Sequence, residues 1–360
     1  MNEHLSHHLA PCGRPASEGP VTVGLLYPSI LHDRVEDYER QVAAWEAVDR
    51  RVRVLAVPYR EPTELRNRRS SPGFERTDND VTPVSDEVVE VLAEAEVLVA
   101  LDLPFELSEL APKLRWVQAI GTGVGHLRSS GIPNERVQLT NAAGTASNEI
   151  AEFVIGRVLE HVKRFPDMAI AQRDHEWTLL YGSGLAGKTI ALAGLGSINL
   201  AIARLAKAFG MRVVGMRRAA NEVPPNVDEV FGPERFLEML SGADAVVAAL
   251  PGDSQTEGLF DKTAFTAMRP GAFFVNVGRG SSVVESALIA ALESGRLSGA
   301  AIDVMRTEPL NAGNPLWTAP HLRISAHCSS VPSLSIVAVN ELGRDNLARY
   351  LHGRPLLNVV

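Results

Sequence analysis

A glycine-containing turn, Gly194-Leu195-Gly196-Ser197-Ile198-Asn199, follows a short apolar run and precedes a helical pattern. This order of strand, turn and helix is typical of sites where backbone N–H groups at a helix start bind a phosphate. Asn199 stands where a third glycine would let helix and strand pack closely, so we expect a small shift there that leaves phosphate binding possible. The alternative is a tight turn with no ligand. The predicted phosphate-binding positions are Gly194, Gly196, Ser197 and Ile198.

Two arginines, Arg217 and Arg218, follow the next predicted strand, Arg212–Gly215. An acidic residue near this point would bind the ribose 2′-hydroxyl of NAD, whereas an arginine suits the 2′-phosphate of NADP. A guanidinium can hold a phosphate through two hydrogen bonds. The sequence therefore predicts a dinucleotide site that prefers NADP, with NAD possible. The alternative is a pair of solvated surface charges.

Three more polar residues follow predicted strands in the same half of the chain. Hydride transfer to a carbonyl needs a cation that holds an acidic substrate, an acid that protonates the forming alkoxide, and a partner that orients this acid. The residue types present could supply all three. The candidates are Arg279 after the strand Ala272–Asn276, Glu308 after the strand Ala300–Val304, and His327 after the strand Leu322–Ser325.

Two histidines compete for the role of acid. His327 follows its strand, where a ligand-facing position is expected, whereas His321 lies six positions earlier. We therefore prefer His327. No Cys-rich or paired-His spacing indicates a metal site, so we expect no metal.

The elements that must position these residues alternate between apolar runs and helical patterns from Val21 onwards. Such alternation predicts α/β architecture with mostly parallel sheets and helices on both faces. The segment Arg60–Val84 is polar and contains proline, so we predict a loop. A long helix, Asn148–Phe165, would connect two doubly wound domains, and the last helix, Leu334–Leu351, would return to the first of them.

Composition excludes several classes of function. A length of 360 residues favours two domains, and a net charge of −8 argues against nucleic acid as a main partner. No apolar run approaches the roughly 20 residues that a membrane helix needs. The two cysteines, Cys12 and Cys328, form no disulfide framework, which fits a reducing, cytoplasmic location.

Several motifs together resemble those of the D-isomer-specific 2-hydroxyacid dehydrogenases, and the resemblance runs from Leu114 to Val360. The matching segments are Leu114–Gln118, Gly121–Gly125, Leu139–Asn141, Ile150–Glu152, Leu250-Pro251 with Thr256, Asn276–Gly280, Ala301–Val304 and Glu308–Leu310.

The resemblance implies a role for each candidate. Arg279 would bind the carboxylate and carbonyl of a 2-oxo acid, and His327 would be the general acid in reduction. Glu308 would pair with His327, since a nearby carboxylate favours the protonated imidazole. Backbone amides near Gly123 and Val124 would help hold the substrate carboxylate. Further cofactor contacts would come from Leu250, Pro251, Thr256, Val277 and, on the nicotinamide side, Asp303.

The resemblance also implies the domain plan and the partners. A Rossmann cofactor domain, 133–332, would be inserted in a flavodoxin-like substrate domain, 21–132 with 333–360. Residues 1–20 would form a disordered extension. The partners would be a small-molecule acid and a second copy of the chain, in a homodimer built through the cofactor domain.

Two departures from the family pattern border the expected substrate site. Gly125 stands where an acidic residue is common, and His327 is followed by Cys328-Ser329-Ser330 in place of small apolar residues and glycine. The leading hypothesis is an NADP-preferring reductase of glyoxylate, hydroxypyruvate or a similar acid. Two alternatives share the fold: a formate dehydrogenase, which would carry glutamine at the position of Glu308, and a cofactor-sensing protein like the C-terminal-binding-protein corepressors.

Overall fold

Buried apolar runs form the strands of two all-parallel sheets in the described part of the chain. This computed structural model describes residues 19–26, 35–70, 73–80, 82–218 and 222–360. The predicted extension therefore lies outside the described residues except for Gly19 and Pro20, and Cys12 lies outside them too. Contacts divide the chain into a first unit, residues 1–145 with 332–360, and a second unit, residues 146–331. The predicted class, two doubly wound parallel-sheet domains, is confirmed.

The first unit has a five-stranded sheet in the order β2-β1-β3-β4-β5, which is the flavodoxin-like order. Leu347 and Leu351 of its last helix share a buried apolar cluster with Val21 and Val23 of the first strand. The indole nitrogen Nε1 of the buried Trp45 donates to Oδ1 of Asn340 in the same helix over 3.0 Å. The elements are β1 (Val21–Leu26), α1 (Val35–Glu46), β2 (Val52–Ala56), α2 (Thr63–Arg69), α3 (Asp86–Glu94), β3 (Val97–Ala100), α4 (Leu107–Leu110), β4 (Trp116–Ala119), α5 (Gly125–Arg128), β5 (Gln138–Thr140) and, at the end of the chain, α12 (Pro332–Leu351).

The second unit has a seven-stranded sheet with two core layers, one on each face. Its elements are α6 (Ser147–Val162), α7 (Phe165–Arg173), β6 (Thr189–Ala193), α8 (Ser197–Ala208), β7 (Arg212–Met216), β8 (Glu229–Phe231), α9 (Phe236–Ser241), β9 (Ala245–Ala248), α10 (Lys262–Ala267), β10 (Ala272–Asn276), α11 (Glu285–Glu293), β11 (Leu297–Ile302) and β12 (Leu322–Ile324). The strand order is β12-β11-β10-β9-β6-β7-β8. The chain direction across the sheet reverses between β6 and β9, and in such folds ligands bind at the carboxyl ends of the strands beside this point.

The structure differs from the sequence prediction at several elements. The segment Arg60–Val84, predicted to be a loop, contains the helix α2, so that prediction is wrong in part. The helix predicted from Leu200 begins at Ser197, directly after the glycine turn. The connecting helix ends at Val162, and a separate helix, α7, starts at Phe165. The short strands β5 and β8 were not predicted.

One close backbone approach joins the turns that follow β10 and β11. A Cβ atom added at Gly280 would overlap the backbone carbonyl of Met305 and the nitrogen of Arg306. Only glycine therefore lets these two turns come together. Arg279 lies in the first of these turns, and the second leads to Glu308.

We predict that Gly280→Ala lowers the free energy of unfolding by roughly 3 kcal/mol, because the added methyl group must push two backbones apart. Urea unfolding measures this change. Gly156→Ala is the matched control: the position is in the middle of α6 with open space around it, so the change should be neutral or stabilise by up to about 1 kcal/mol. Equal effects of the two substitutions would contradict the close approach.

Candidate active site

The three candidate catalytic residues lie at the carboxyl ends of three neighbouring strands. Arg279 follows β10, Glu308 follows β11 and His327 follows β12, and these strands are adjacent in the sheet. The imidazole Nδ1 of His327 lies 2.8 Å from Oε2 of Glu308. The rival histidine, His321, precedes β12 and so lies at the opposite edge of the sheet. The structure thus brings His327, and not His321, to the edge that carries Glu308.

Glu308 is a carboxylate held in its ionised form. Burial acts to raise its pKa, but hydrogen bonds from His327 and from the backbone nitrogen of Met305 outweigh this effect and lower the pKa. An ionised Glu308 can only accept a hydrogen bond, so Nδ1 of His327 donates to it. Nε2 of the ring is then available to a substrate. The pair therefore has the geometry of an oriented acid–base group.

Arg279 lies in a turn that Asn276 closes. The side-chain nitrogen Nδ2 of Asn276 donates to the carbonyl of Arg279 over 3.1 Å, and its Oδ1 accepts from the nitrogen of Gly278 over 3.1 Å. Burial lowers the pKa of the Arg279 guanidinium, and the nearby charge of Glu308 opposes that shift. Because arginine starts from so high a pKa, the group stays cationic at neutral pH. The sequence motif included Asn276, but sequence reasoning gave it no role.

Asp303 supports the loop that carries His327. Its two carboxylate oxygens accept hydrogen bonds from the Ser325 hydroxyl (2.6 Å) and from the backbone nitrogens of Cys328 and Ser329 (2.9 Å each). Its carbonyl accepts from the nitrogen of His327 over 2.8 Å. These bonds hold His327 at a φ of 52°, a left-handed conformation that costs a side-chain-bearing residue free energy. The predicted contact of Asp303 with a cofactor therefore stays a prediction, while its hydrogen bonds serve the histidine loop.

The glycine turn after β6 combines a left-handed glycine with the start of α8. Gly194 has a φ of 83°, and a Cβ there would press on the side chain of Leu250. Gly196 and Ser197 are exposed at the start of α8. Asn199 is fully buried, and its Nδ2 donates to the carbonyl of Ala193 over 2.9 Å and to that of Gly194. Asn199 therefore does more than cause the small shift expected from the sequence, because its side-chain amide joins the start of α8 to the end of β6.

The remaining predicted cofactor positions lie in loops beside this turn. Val277 is buried after β10, and its nitrogen donates to the carbonyl of Ala248. The loop that begins with Leu250 and Pro251 is closed by the Thr256 hydroxyl, which donates to the carbonyl of Pro251 over 2.6 Å. A cofactor lying across the carboxyl ends of β6, β9 and β10 would meet all of these residues.

Arg217 and Arg218 follow β7, the strand next to β6. Arg217 is half-buried and Arg218 is exposed. Nη1 of Arg218 donates to Oε1 of Gln255 over 3.4 Å, so this bond spans from the loop after β7 to the loop after β9. The two loops flank the glycine turn, whose strand lies between theirs. Sequence reasoning missed Gln255 because neither its type nor its spacing distinguishes it.

The predicted substrate-carboxylate positions lie in the first unit, in the loop 121–125, which we call the substrate loop. Gly123 is exposed and Val124 is half-buried. Across the chain as described, their backbone amides donate to no other atom. The side chain of Asn141 donates to the carbonyl of Thr122 over 2.9 Å and so fixes the middle of the loop.

The described residues contain neither a membrane-spanning helix nor a cluster of metal ligands. None of the helices there is long and apolar enough to cross a membrane. Among those same residues, no group of three or more His, Cys, Asp or Glu side chains is arranged to hold a metal ion.

The buried carboxylate of Asp303 predicts an acid-dependent share of stability. Hydrogen bonds to Asp303 lower its pKa in the fold despite its burial, so its contribution is complete above its unfolded pKa of 3.8 and is lost as the pH falls through the folded value. We expect Asp303→Asn to cost roughly 1–3 kcal/mol at pH 7, since the amide cannot accept all three bonds. The deficit should shrink below about pH 4.

Urea unfolding of both proteins at a series of pH values measures this difference. Ser254→Ala, an exposed hydroxyl outside this network, is the control and should leave the curve unchanged. Parallel curves for wild type and Asp303→Asn would show that the carboxylate does not stabilise the loop.

Comparison with known proteins gives a consistent relationship. Residues 155–329 match the family model described as "D-isomer specific 2-hydroxyacid dehydrogenase, NAD binding domain". A glyoxylate/hydroxypyruvate reductase B from Klebsiella pneumoniae (strain 342) is 31% identical over 282 residues, which cover 75% of this chain and 86% of that protein.

Two solved structures are similar over nearly the whole chain. A D-isomer specific 2-hydroxyacid dehydrogenase family protein from Aeromonas salmonicida is 30% identical with a TM-score of 0.76, covering 95% of this chain and 99% of that one. A D-isomer specific 2-hydroxyacid dehydrogenase from Xanthobacter autotrophicus Py2, solved with NADPH and MES, is 26% identical with a TM-score of 0.74, covering 95% and 98%. The chain described here belongs to the D-isomer specific 2-hydroxyacid dehydrogenase family.

Proposed function

We propose that this enzyme reduces a small 2-oxo acid of the glyoxylate or hydroxypyruvate type to its D-2-hydroxy acid with NADPH. The observation that carries the proposal is the 2.8 Å pair of His327 and Glu308 on the strand ends next to Arg279. The similarity to the Klebsiella glyoxylate/hydroxypyruvate reductase B and the NADPH in the Xanthobacter structure support this choice of substrate and cofactor.

The roles of the three residues follow from their charges. The Arg279 cation binds the substrate carboxylate and draws electron density from the carbonyl. Nε2 of the protonated His327 gives its proton to the carbonyl oxygen as the bond to carbon forms. Glu308 accepts the hydrogen bond from Nδ1 and so orients the ring. Bound NADPH supplies the hydride that reduces the carbonyl carbon. His327 then recovers its proton from solvent.

The backbone amides of Gly123 and Val124 would bind the substrate carboxylate from the first unit. Their N–H groups make no other hydrogen bond in the described part of the chain, so they are available to an anion. A carboxylate gains most from such fixed backbone donors because they need no reordering when it binds.

The loops around the glycine turn fit a dinucleotide with a 2′-phosphate. Arg217 and Arg218 supply positive charge at the end of β7, and the neutral amide of Gln255 accepts from Arg218 without cancelling its charge. A phosphate would therefore meet two cations beside an uncharged partner. We include NAD as a weaker alternative cofactor.

We further propose that the enzyme is a cytoplasmic homodimer. The cysteine content supports a reducing compartment. Support for the dimer comes from one segment of the second unit, residues 165–181, that exposes six large apolar side chains, because exposed apolar patches often mark protein–protein contacts. Its molecular mass in solution tests this. The exposed side chains are Phe165, Met168, Ile170, Trp177, Leu179 and Tyr181.

The reaction is tested by following NADPH oxidation with glyoxylate, hydroxypyruvate and pyruvate. We expect turnover of at least one acid. Arg279→Ala and His327→Ala should each lower kcat/KM by at least about a hundredfold with the Kd for NADPH unchanged, because both act on the substrate. His321→Ala, at the other edge of the sheet, is the control. Tight NADPH binding without turnover of any acid would instead favour the cofactor-sensing alternative.

The cofactor preference is tested with the double variant Arg217→Ala/Arg218→Ala. Loss of two charge-assisted contacts should raise the Kd for NADPH by roughly a hundredfold and leave the Kd for NADH almost unchanged. Fluorescence titration measures both constants. Arg212→Ala, at the other end of β7 and paired with Glu229, is the matched control. Equal losses for the two cofactors would contradict a 2′-phosphate site.

A further inference from the structure

A cluster of buried charges lies at the carboxyl edge of the first unit's sheet. Glu61, Arg69 and Asp102 have fully buried side chains, and Arg66 is nearly buried. Arg66 holds both carboxylate oxygens of Asp102 through Nε and Nη2, at 2.6 and 2.5 Å. Arg69 pairs with Glu61. Buried ion pairs seldom stabilise a fold more than apolar residues would, so their value is more often in fixing one arrangement.

Arg69, the last residue of α2, joins three parts of the first unit. Its guanidinium donates to the carbonyl of Leu103 (2.9 Å) after β3, and to the hydroxyls of Ser129 (2.8 Å) and Ser130 (2.5 Å) at the end of α5. One face of the guanidinium lies 4.1 Å above the ring of Phe105. The planar fork of arginine can make these bonds at once, which the single ammonium of lysine cannot.

The helix that Arg69 holds lies directly against the substrate loop. A Cβ at Gly125 would stand 3.3 Å from the Cα and carbonyl oxygen of Ser70, which is tighter than usual contact. The backbone after α2 therefore occupies the space beside Gly125. This explains the absence of an acidic side chain there, a departure that the proposed reaction itself leaves unexplained. On its other side the loop is held by Asn141.

We propose that Arg69 is a positioning residue: by fastening α2 to α5 it keeps the amides of Gly123 and Val124 in the arrangement that binds the carboxylate of a 2-oxo acid. The inference rests on the proposed function, because it needs that carboxylate as the ligand. Arg69 itself touches neither substrate nor cofactor. Its effect passes through Ser129 and Ser130 at one end of α5 and through Ser70 at the other.

The kinetics of Arg69→Lys test the role. The substrate carboxylate keeps its charge throughout hydride transfer, so weaker loop contacts remove binding equally from ground state and transition state. We expect KM for the 2-oxo acid to rise about tenfold while kcat and the Kd for NADPH stay within about twofold of wild type. A merely structural defect would instead reduce the active fraction, lowering kcat with KM unchanged.

Two other variants make the test decisive. Ser129→Ala/Ser130→Ala keeps the Arg69–Glu61 pair but frees α5, and it should raise KM in the same way even if Arg69→Lys fails to fold. Arg68→Lys is the matched control, since this neighbour in α2 is more than half exposed and pairs only with Asp80 among the described charges.

A wild-type KM in the double serine variant, or a fall in kcat alone, overturns the role of Arg69 and leaves the proposed reaction standing. A wild-type enzyme that reduces no 2-oxo acid and binds none in the presence of NADPH overturns the proposed function and this inference with it.

Discussion

The candidate catalytic pair, His327 with Glu308, depends on one buried carboxylate, that of Asp303. This carboxylate accepts three hydrogen bonds from the loop 325–329, and the backbone carbonyl of Asp303 accepts a fourth from the nitrogen of His327. Without these bonds a left-handed histidine would relax toward the usual backbone regions and leave Glu308. The pairing of His327 with Glu308 is therefore a consequence of the hydrogen bonds that Asp303 makes to the backbone of the histidine loop.

The same principle operates elsewhere in the chain, with side-chain amides in place of the carboxylate. Asn276 closes the turn that carries Arg279, Asn199 binds the strand end beside the glycine turn, and Asn141 fixes the substrate loop. Each amide satisfies backbone groups that a sheet leaves unpaired where its strands stop. Functional residues at strand ends are thus held by neighbours whose polar atoms are directed at the main chain.

Sequence predicts the buried strands better than the helices that depend on distant contacts, and the reason is physical. The strand Ala272–Asn276 has the predicted ends because a strand buried on both faces forms a continuous apolar run in the sequence. The helix α2 was missed because it is stabilised by ion pairs between distant positions, such as Arg66 with Asp102, which no local periodicity reveals. The types of Arg279, Glu308 and His327 and their places after strands could be predicted. The supporting bonds of Asp303 and the bridge from Arg218 to Gln255 could not, since they depend on which loops the sheet order makes neighbours.

The division of the chain into two units has a consequence for how such an enzyme can change. All three candidate catalytic residues, with every predicted cofactor position, belong to the second unit, whereas the substrate loop and the buried charges around it belong to the first. The proposed contact of this loop with a substrate carboxylate can therefore change through substitutions in the first unit, which has its own core and contains none of the bonds that orient His327. Binding of the acid through the loop and proton transfer at His327 are in this sense open to separate change.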